Sequence, residues 1–427
     1  MLLIYTPHST TRLQYICKFI FEEVLGATYS LTTDEKSFKN YEGSKINYSH
    51  LKIENTFQLK PHDLLFQTDI KAQQIDCIRE GENIIFFKSE KTDYPFDIFA
   101  AAFYLISRYE EYLPHTQDIY GRYAHQNSLA YKESFLHLPL INCWLQHFKE
   151  LLVRHFPSLN FSPKPFSFTP TYDIDIAWSF KEKGLLRNMG GFLKNPSFKR
   201  LATLFGNKKD PFDSYDFLHK THNAFHLSPL YFFLLAKKNG LYDKNILPDN
   251  KALQQLIKEH SAKYTIGLHP SWSSYNRQEI IQEEKNTLQK IAEKTITNTR
   301  QHYIKFTLPQ TYTQLINTGF SDDYSMGYAS INGFRASTAS SFYWYDLSAE
   351  KITSLRIHPF CFMDGNCFFE EKLSLQESFN TLMTYYNICK KVNGEFITIF
   401  HNDFLGTDKR FAGWKELYIQ FLNNLTY

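Results

Sequence analysis

Residues Ser167–Asp175 read SFTPTYDID, and this segment indicates the architecture of the chain. Its aromatic and β-branched residues predict a strand that ends with two carboxylates one position apart. Because side chains alternate along a strand, Thr171, Asp173 and Asp175 share one face. Two carboxylates at this spacing repel each other unless a positive charge lies beside them. The pattern therefore indicates a metal site or a base held apart from a ligand, or else a solvated strand end or helix N-cap.

Short apolar segments alternate with amphipathic helices along the whole chain, which predicts a largely parallel α/β architecture. Strands are predicted at Leu2–Tyr5, Ser167–Asp175, Leu230–Ala236, Thr265–His269, His302–Thr307, Ser354–His358 and Phe396–His401. Helices are predicted at Thr11–Leu25, at Ser374–Val392 with a Ser374/Glu377 capping box, and after an N-cap at Asp249. The proline-rich run at 158–165 predicts a boundary between a smaller α/β domain, 1–160, and a second domain, 161–427.

Composition narrows the class of protein. Hydrophobic residues make up 43% of the 427 positions, enough for large cores, and 47 basic against 44 acidic residues argue against a nucleic-acid binder. The N-terminus has no basic segment before its apolar residues, and no run approaches the length of a membrane span. Six scattered cysteines suit reduced thiols. We therefore expect a cytoplasmic protein without a transmembrane segment.

Further candidate side chains follow predicted strands. His269 and His401 each end an apolar run, Arg300 and His302 share a strand face, and Arg335 could fix a carboxylate or an oxyanion. Taken singly, each has a structural explanation, such as a hydrogen-bonded core histidine or a surface arginine. Together they fall at the ends of successive strands, where active sites of parallel β/α folds gather. This order predicts one active centre.

These segments resemble the motifs of the NodB-type polysaccharide deacetylases. The matching positions are Thr171–Asp175, His269–Ser273, Gly333–Arg335 and Phe400–His401. The stretches RQHYIKFTLPQTY and DYSMGYASINGFRAST are similar to a divergent bacterial branch with an extra N-terminal domain. The resemblance covers about residues 161–427. It implies a distorted, TIM-like (β/α) barrel.

The resemblance also implies an activity, the metal-assisted hydrolysis of an N- or O-acetyl group on a carbohydrate during polysaccharide assembly. Asp173 would be the general base that deprotonates a water on the metal. Asp175 and His269 would hold the metal, which is usually zinc in the family. Arg335 would orient Asp173, and His401 would protonate the leaving group. This assignment is chemically consistent, because a divalent ion lowers the pKa of water and polarises the acetyl carbonyl.

One position departs from the family pattern. The second motif normally has another histidine four residues after the first, and this chain has Ser273 there. A serine hydroxyl is a poor zinc ligand, and catalytic zinc usually has three protein ligands. We expect His302 to complete the site; a weaker, more hydrated metal or loss of the metal are the alternatives.

Two other functions compete with the acetyl hydrolase. The first is a catalytically inactive carbohydrate-binding or scaffolding protein, and the second is a metal-independent amidohydrolase. Several aromatic residues would suit stacking against a sugar in both the acetyl hydrolase and the inactive protein: Trp272, Tyr275, Tyr343, Trp344 and Tyr345. The metal content of the purified protein separates the metal-assisted acetyl hydrolase from these two alternatives.

Overall fold

The computed structural model describes residues 1–80, 83–182, 202–204 and 208–425. Its first sheet lies in the N-terminal region and has four parallel strands in the order β2-β1-β3-β4. These strands are β1 (Leu2–Tyr5), β2 (Tyr29–Thr32), β3 (Lys45–Tyr48) and β4 (Phe57–Leu59). Two short strands that follow in the sequence, β5 (Ile78–Glu80) and β6 (Asn83–Ile85), form a separate antiparallel pair.

A second, larger sheet holds the segment SFTPTYDID. Among the described residues its order is β12-β13-β11-β10-β9-β8-β7-β15-β14, and neighbours are parallel except β12 and β13. The strands are β7 (Ser167–Ile174), β8 (Leu230–Leu234), β9 (Thr265–His269), β10 (Asn298–Thr299), β11 (Asp322–Asp323), β12 (Phe342–Asp346), β13 (Lys351–Ile357), β14 (Phe362–Met363) and β15 (Glu395–His401). The prediction of a mixed α/β chain with parallel sheets is confirmed.

Helices connect the strands of both sheets. The described α-helices are Thr11–Cys17, Glu35–Asn40, Ile98–Ile106, Leu129–Lys132, Leu140–His155, Tyr215–Ala224, Lys251–Lys263, Gln278–Ala292, Gln310–Asn317, Leu375–Lys391 and Trp414–Asn423. The π-helical turns are Lys18–Val24 and Asn366–Glu370, so the predicted helix Thr11–Leu25 changes its winding at Lys18. None of these described helices combines the length and apolar character that a bilayer span requires.

The structure confirms one predicted helix cap and moves another by one residue. Ser374 Oγ accepts a hydrogen bond from the Glu377 backbone N–H, and the Glu377 carboxylate accepts one from Ser374, so the predicted capping box is confirmed. The helix Lys251–Lys263 is capped by Asn250, whose side chain accepts from the backbone N–H of Leu253, and not by Asp249. The neighbouring Asn offers the same acceptor one residue closer to the helix.

The predicted strand His302–Thr307 is wrong. The strand of this region is the short β10, and His302–Ile304 form a tight helical turn after it. Tyr303 and Ile304 have φ angles of 59° and 51°, in the left-handed region, which an extended strand cannot accommodate. Such strained backbone at a non-glycine residue is typical of functional sites. The turn redirects the side chains of His302 and Tyr303.

The two sheets share a continuous hydrophobic core that extends from Leu2 to Leu422. One contact between the regions is the Tyr15 hydroxyl, which donates to the Tyr343 carbonyl at 2.8 Å. The ring of Phe103 also packs edge-on against Tyr345, with centroids 5.3 Å apart. The N-terminal region therefore packs directly on strand β12 of the larger sheet.

Candidate active site

Five of the six predicted site residues line one cavity of about 240 Å³: Asp173, Asp175, His269, His302 and His401. They come from the carboxyl ends of β7, β9 and β15 and from the turn after β10. A larger cavity of about 410 Å³ lies at the amino ends of β7 and β15, where Ser167 and Glu395 line it. It contains none of the predicted residues, so size is a poor guide here. We assign the site to the smaller cavity because the titratable groups converge there.

Three side chains form a group that could hold a metal ion. One ligand atom each of Asp175, His269 and His302 lies within 4.8 Å of the other two. Nε2 of His269 is 3.2 Å from Asp175 Oδ1, and Nε2 of His302 is 3.5 Å from Asp175 Oδ2. The Asp175 side chain is 30% exposed towards the cavity, yet its Oδ1 is buried and finds no hydrogen-bond partner among the described residues. A carboxylate whose two oxygens each face one imidazole fits a divalent cation such as zinc.

Outer partners fix the orientation of both imidazoles. Nδ1 of His269 is hydrogen-bonded to the backbone carbonyl of Arg300, and Nδ1 of His302 lies 3.2 Å from Asp243 Oδ1. Each ring therefore turns Nε2 towards Asp175, the arrangement that metal-binding histidines usually adopt. The sequence showed His302 as a ligand candidate, whereas Asp243 carried no recognisable signal.

Electrostatics within this group is strongly coupled. Burial lowers the pKa of His302, but Asp175 and Asp243 outweigh burial and raise it to about 9. Burial raises the pKa of Asp175, but the two imidazoles hold it well below its usual value. The carboxylate thus attracts positive charge to this point, which a proton on His302 or a divalent cation could supply.

The second carboxylate of the motif, Asp173, is held by an arginine. Nη1 of Arg300 donates to Asp173 Oδ1 at 2.8 Å and to Thr171 Oγ1 at 2.6 Å. Nε of Arg300 donates to the Tyr324 carbonyl at 3.0 Å, so the guanidinium is anchored on two sides. The other oxygen, Oδ2, is 3.7 Å from His269 Nε2. Asp173 is therefore a fixed, buried carboxylate adjacent to the possible metal position.

Arg335 does not line this cavity, which corrects the expectation that it orients Asp173. Its Nε and Nη2 donate to the two carboxylate oxygens of Glu111, at 2.9 and 2.6 Å. Burial raises the pKa of Glu111, but Arg335 and Arg108 lower it to about 2. A fully buried glutamate requires such partners. Arg335 is thus committed to an ion cluster with Glu111 of the N-terminal region. The contact with Asp173 that was predicted for Arg335 is made by Arg300.

His401 has a carboxylate partner of its own. Its backbone N–H donates to Asp364 Oδ2 and its Nδ1 contacts Asp364 Oδ1, each at 2.7 Å. Nε2 faces the cavity, 3.9 Å from Asp175 Oδ2. Burial lowers the pKa of His401, but Asp364 raises it well above its usual value. The contacts with Asp364 therefore favour the charged form of the imidazole, whose Nε2 faces the cavity.

Besides Asp243, sequence reasoning missed three other members of the site. Arg300 was visible as a neighbour of His302 on a strand face, but it was given no role. Asp364 begins an Asp-Gly pair after β14, a turn signal without chemical meaning by itself. Asp403 also lines the cavity, where burial raises its pKa to about 7.

Comparisons with known proteins are as follows. Residues 2–157 match the model of a family of unknown function, DUF7033. No curated protein matches the chain. A candidate polysaccharide deacetylase from Mycobacterium smegmatis has a similar structure, with a TM-score of 0.40, 12% identity, and coverage of 61% of this chain and 85% of that one. A polysaccharide deacetylase from Bacillus cereus matches with a TM-score of 0.31 and 10% identity, and the match covers 61% of this chain and 87% of that one.

Proposed function

We propose that this protein hydrolyses an N- or O-acetyl group on a carbohydrate, using a divalent cation held by Asp175, His269 and His302. The observation that carries the proposal is the convergence of this ligand group with a fixed carboxylate, Asp173, and a charged imidazole, His401, in one cavity. A base and an acid on either side of a cation are the parts that acetyl transfer to water requires. We propose zinc because imidazole and carboxylate suit it.

When bound, the cation supplies Lewis acidity, which acidifies water and polarises the acetyl carbonyl. Asp173 accepts the proton of the attacking water on Oδ2, because Oδ1 is engaged by Arg300. Water adds to the carbonyl carbon, and the bond from that carbon to nitrogen or oxygen of the sugar breaks. His401 gives its Nε2 proton to the departing atom, and Asp364 stabilises its charged form. The products are acetate and a free amine or hydroxyl.

The proposal includes the surroundings of the site. Residues 161–427 would form a distorted barrel of the deacetylase type, preceded by a separate domain, 1–160. Support comes from Arg300 and Asp173, since β10 and β7 are three positions apart and a flat sheet would separate them by roughly 14 Å. A guanidinium contact at 2.8 Å favours strong curvature. The cysteines, all six free thiols, favour the reducing cytoplasm.

The test combines metal analysis with an acetate assay. Protein purified without chelator is analysed for bound metal, and acetate release is followed on a panel of N-acetylated and O-acetylated oligosaccharides. We expect bound zinc, activity that is lost on chelation, and recovery when zinc is restored. Metal-free protein that binds sugars without releasing acetate would establish the non-catalytic alternative. Activity that survives complete removal of metal would establish the metal-independent amidohydrolase.

A further inference from the structure

A small hairpin of the N-terminal region reaches the candidate active site. Gln117 and Tyr123 form an antiparallel bridge, and the turn between them contains Gly121 at φ 72°. Asp118 Oδ1 accepts the backbone N–H groups of Tyr120 and Arg122, each at 2.9 Å, which makes the turn rigid. Tyr120 and Arg122 line the cavity that contains the catalytic candidates. Part of the cavity wall therefore comes from outside residues 161–427.

The hairpin is fastened to the segment that carries His302. Nη1 of Arg122 donates to the carbonyl of Tyr303 at 2.8 Å, and Nζ of Lys305 donates to the carbonyl of Tyr120 at 2.7 Å. These two bonds run in opposite directions between the hairpin and the turn after β10. Backbone groups on both sides are thereby held in register. The wall is a built feature of the site and not a chance contact of a loose loop.

Four aromatic rings gather at this junction: Tyr120, Tyr242, Trp272 and Tyr303. Every pair of them has ring centroids between 4.0 and 6.2 Å apart. Tyr120 and Tyr303 line the cavity, and Tyr303 remains 37% exposed despite its ring contacts. The strained backbone at Tyr303 directs this ring to the cavity wall beside His302. Trp272 and Tyr242 contact both of these rings but do not line the cavity.

The volume of the cavity limits the size of the ligand that it can enclose. A volume of about 240 Å³ is below the roughly 300–1,000 Å³ of sites that enclose drug-sized ligands. One sugar unit could enter it, and further units of a chain would lie along the rim. Tyrosine offers an apolar face together with a hydroxyl, a combination that suits the apolar C–H face and polar edge of a pyranose ring. The exposed ring of Tyr303 and the partly buried ring of Tyr120 both line the cavity, which favours a carbohydrate chain as the occupant.

We propose that Tyr120 and Tyr303 form a stacking platform for the sugar unit next to the acetylated one. The N-terminal region then supplies part of the binding site for the carbohydrate. This inference rests on the proposed carbohydrate function and assigns a second sugar position beside its site. The rings would otherwise serve to fasten the hairpin to the turn after β10, a role that requires no ligand.

The test measures how binding depends on chain length. Oligosaccharides of N-acetylated hexosamines, with one to six units and gluco, galacto or manno configuration, are titrated by calorimetry into the Asp173→Asn variant, which should not consume them. We expect the Kd to fall about tenfold from one to three units for at least one configuration, equal to about 1.4 kcal/mol. Tyr120→Ala or Tyr303→Ala in the same background should remove most of that gain and change monosaccharide binding less than about twofold.

Controls separate stacking from folding. Tyr120→Phe and Tyr303→Phe keep the ring and should retain the gain, while Tyr131→Ala removes a 43% exposed ring outside the cavity and should have no effect. Equal gains in parent and alanine variants with unchanged Tm, or no gain with length in any configuration, overturn the platform. Acetate release by the unmodified protein is scored separately on the same sugars. Platform-dependent binding without acetate would reject the hydrolase and keep the platform, and acetate release without length dependence would do the reverse.

Discussion

Nδ1 of His302 lies 3.2 Å from Asp243 Oδ1, and Asp243 is itself held by Ser273. The backbone N–H and the hydroxyl of Ser273 donate to Asp243 Oδ2 at 3.1 and 2.9 Å. The resembling family usually has a second histidine where Ser273 stands. Here that position secures a carboxylate, which in turn orients an imidazole from the next strand connection. The departure from the family pattern and the position of His302 are therefore linked, which supports His302 as the third ligand.

This linkage predicts graded effects on metal affinity. His302→Ala should abolish stoichiometric metal binding, because one of three protein ligands is lost. Asp243→Asn should weaken the metal by about 10- to 100-fold, as expected when an outer partner of a ligating histidine is removed. Titration against a competing chelator gives both affinities. His222→Gln is a matched control, because this buried imidazole contacts the Tyr172 hydroxyl and does not line the cavity.

Replacement of Ser273 provides the complementary variant. Ser273→His in the His302→Ala background should restore metal binding. Position 273 lies beside Asp243, the carboxylate that His302 contacts in the parent protein. Unchanged metal content in His302→Ala would exclude the three-ligand site. Absence of metal from both the parent and the variant would instead favour the catalytically inactive alternative.

The two motif aspartates are predicted to differ in function. Asp173→Asn should lower kcat by about 10²–10⁴ while metal remains bound, because it removes a general base. Asp175→Asn should lose metal and activity together, because Oδ1 and Oδ2 both face the ligand group. Metal analysis and acetate release on the same preparations make the comparison. Equal metal loss in both variants would indicate a shared, bridging site.

The two buried arginines are predicted to separate catalysis from stability. Arg300→Lys keeps the charge but cannot reproduce the fork that binds Asp173 and Tyr324, so we expect kcat to fall by about 10²-fold. Arg335→Met leaves Glu111 without its bidentate partner and should lower the free energy of unfolding by about 3–5 kcal/mol. Urea unfolding and kcat of the folded protein measure the two effects.

The comparison of Arg300→Lys with Arg335→Met has one result that would contradict the prediction. If Arg335→Met lowers kcat of the folded protein as much as Arg300→Lys does, the catalytic contact of Arg300 with Asp173 is not specific. The double variant Glu111→Gln with Arg335→Met should recover part of the lost stability, because both partners of the buried pair then become neutral.

The sequence allowed part of this site to be predicted because alternation and strand ends are local properties. Asp173, Asp175, His269 and His401 follow apolar runs, and parallel strands bring such ends to one edge of a sheet. His302 reaches the cavity although its predicted strand is wrong, because the turn after β10 redirects it.

The arginine assignment could not be made from local pattern. Arg335 and Glu111 are 224 positions apart, so the pairing that commits Arg335 depends on the tertiary fold. The same is true of Asp243, 59 positions from His302, and of Asp364, 37 positions from His401. An isolated Asp in a loop is most often a turn or capping residue. Local sequence thus identifies the groups that could do chemistry, whereas packing decides which partner each one has.

Stability towards acid should depend on two buried histidines, His222 and His260, that pack against Tyr172 of β7 and Tyr231 of β8. His260 packs against Tyr231 with ring centroids 4.6 Å apart, and its Nδ1 is hydrogen-bonded to the Leu256 carbonyl at 2.8 Å. Burial lowers the pKa of His260 from 6.5 to about 4, and that of His222 from 6.5 to about 3. Between about pH 6.5 and 4 the unfolded chain therefore binds protons that the folded chain refuses, and the free energy of unfolding falls as the pH falls.

For His260 the difference between 6.5 and about 4 corresponds to about 3 kcal/mol, lost progressively as the pH falls from 6.5 to 4. His260→Gln loses the packing of the imidazole on Tyr231 and should therefore be less stable than the parent at pH 7. Because glutamine has no proton to gain, the free energy of unfolding of the variant should decline less steeply towards pH 4.5. Buried carboxyls with raised pKa values, such as Asp97 at about 6, act in the opposite direction and are common to both proteins. The difference between variant and parent in urea unfolding, measured at several pH values, isolates His260. Parallel curves for the two proteins would show that His260 is protonated in the folded state and that its burial costs no acid stability.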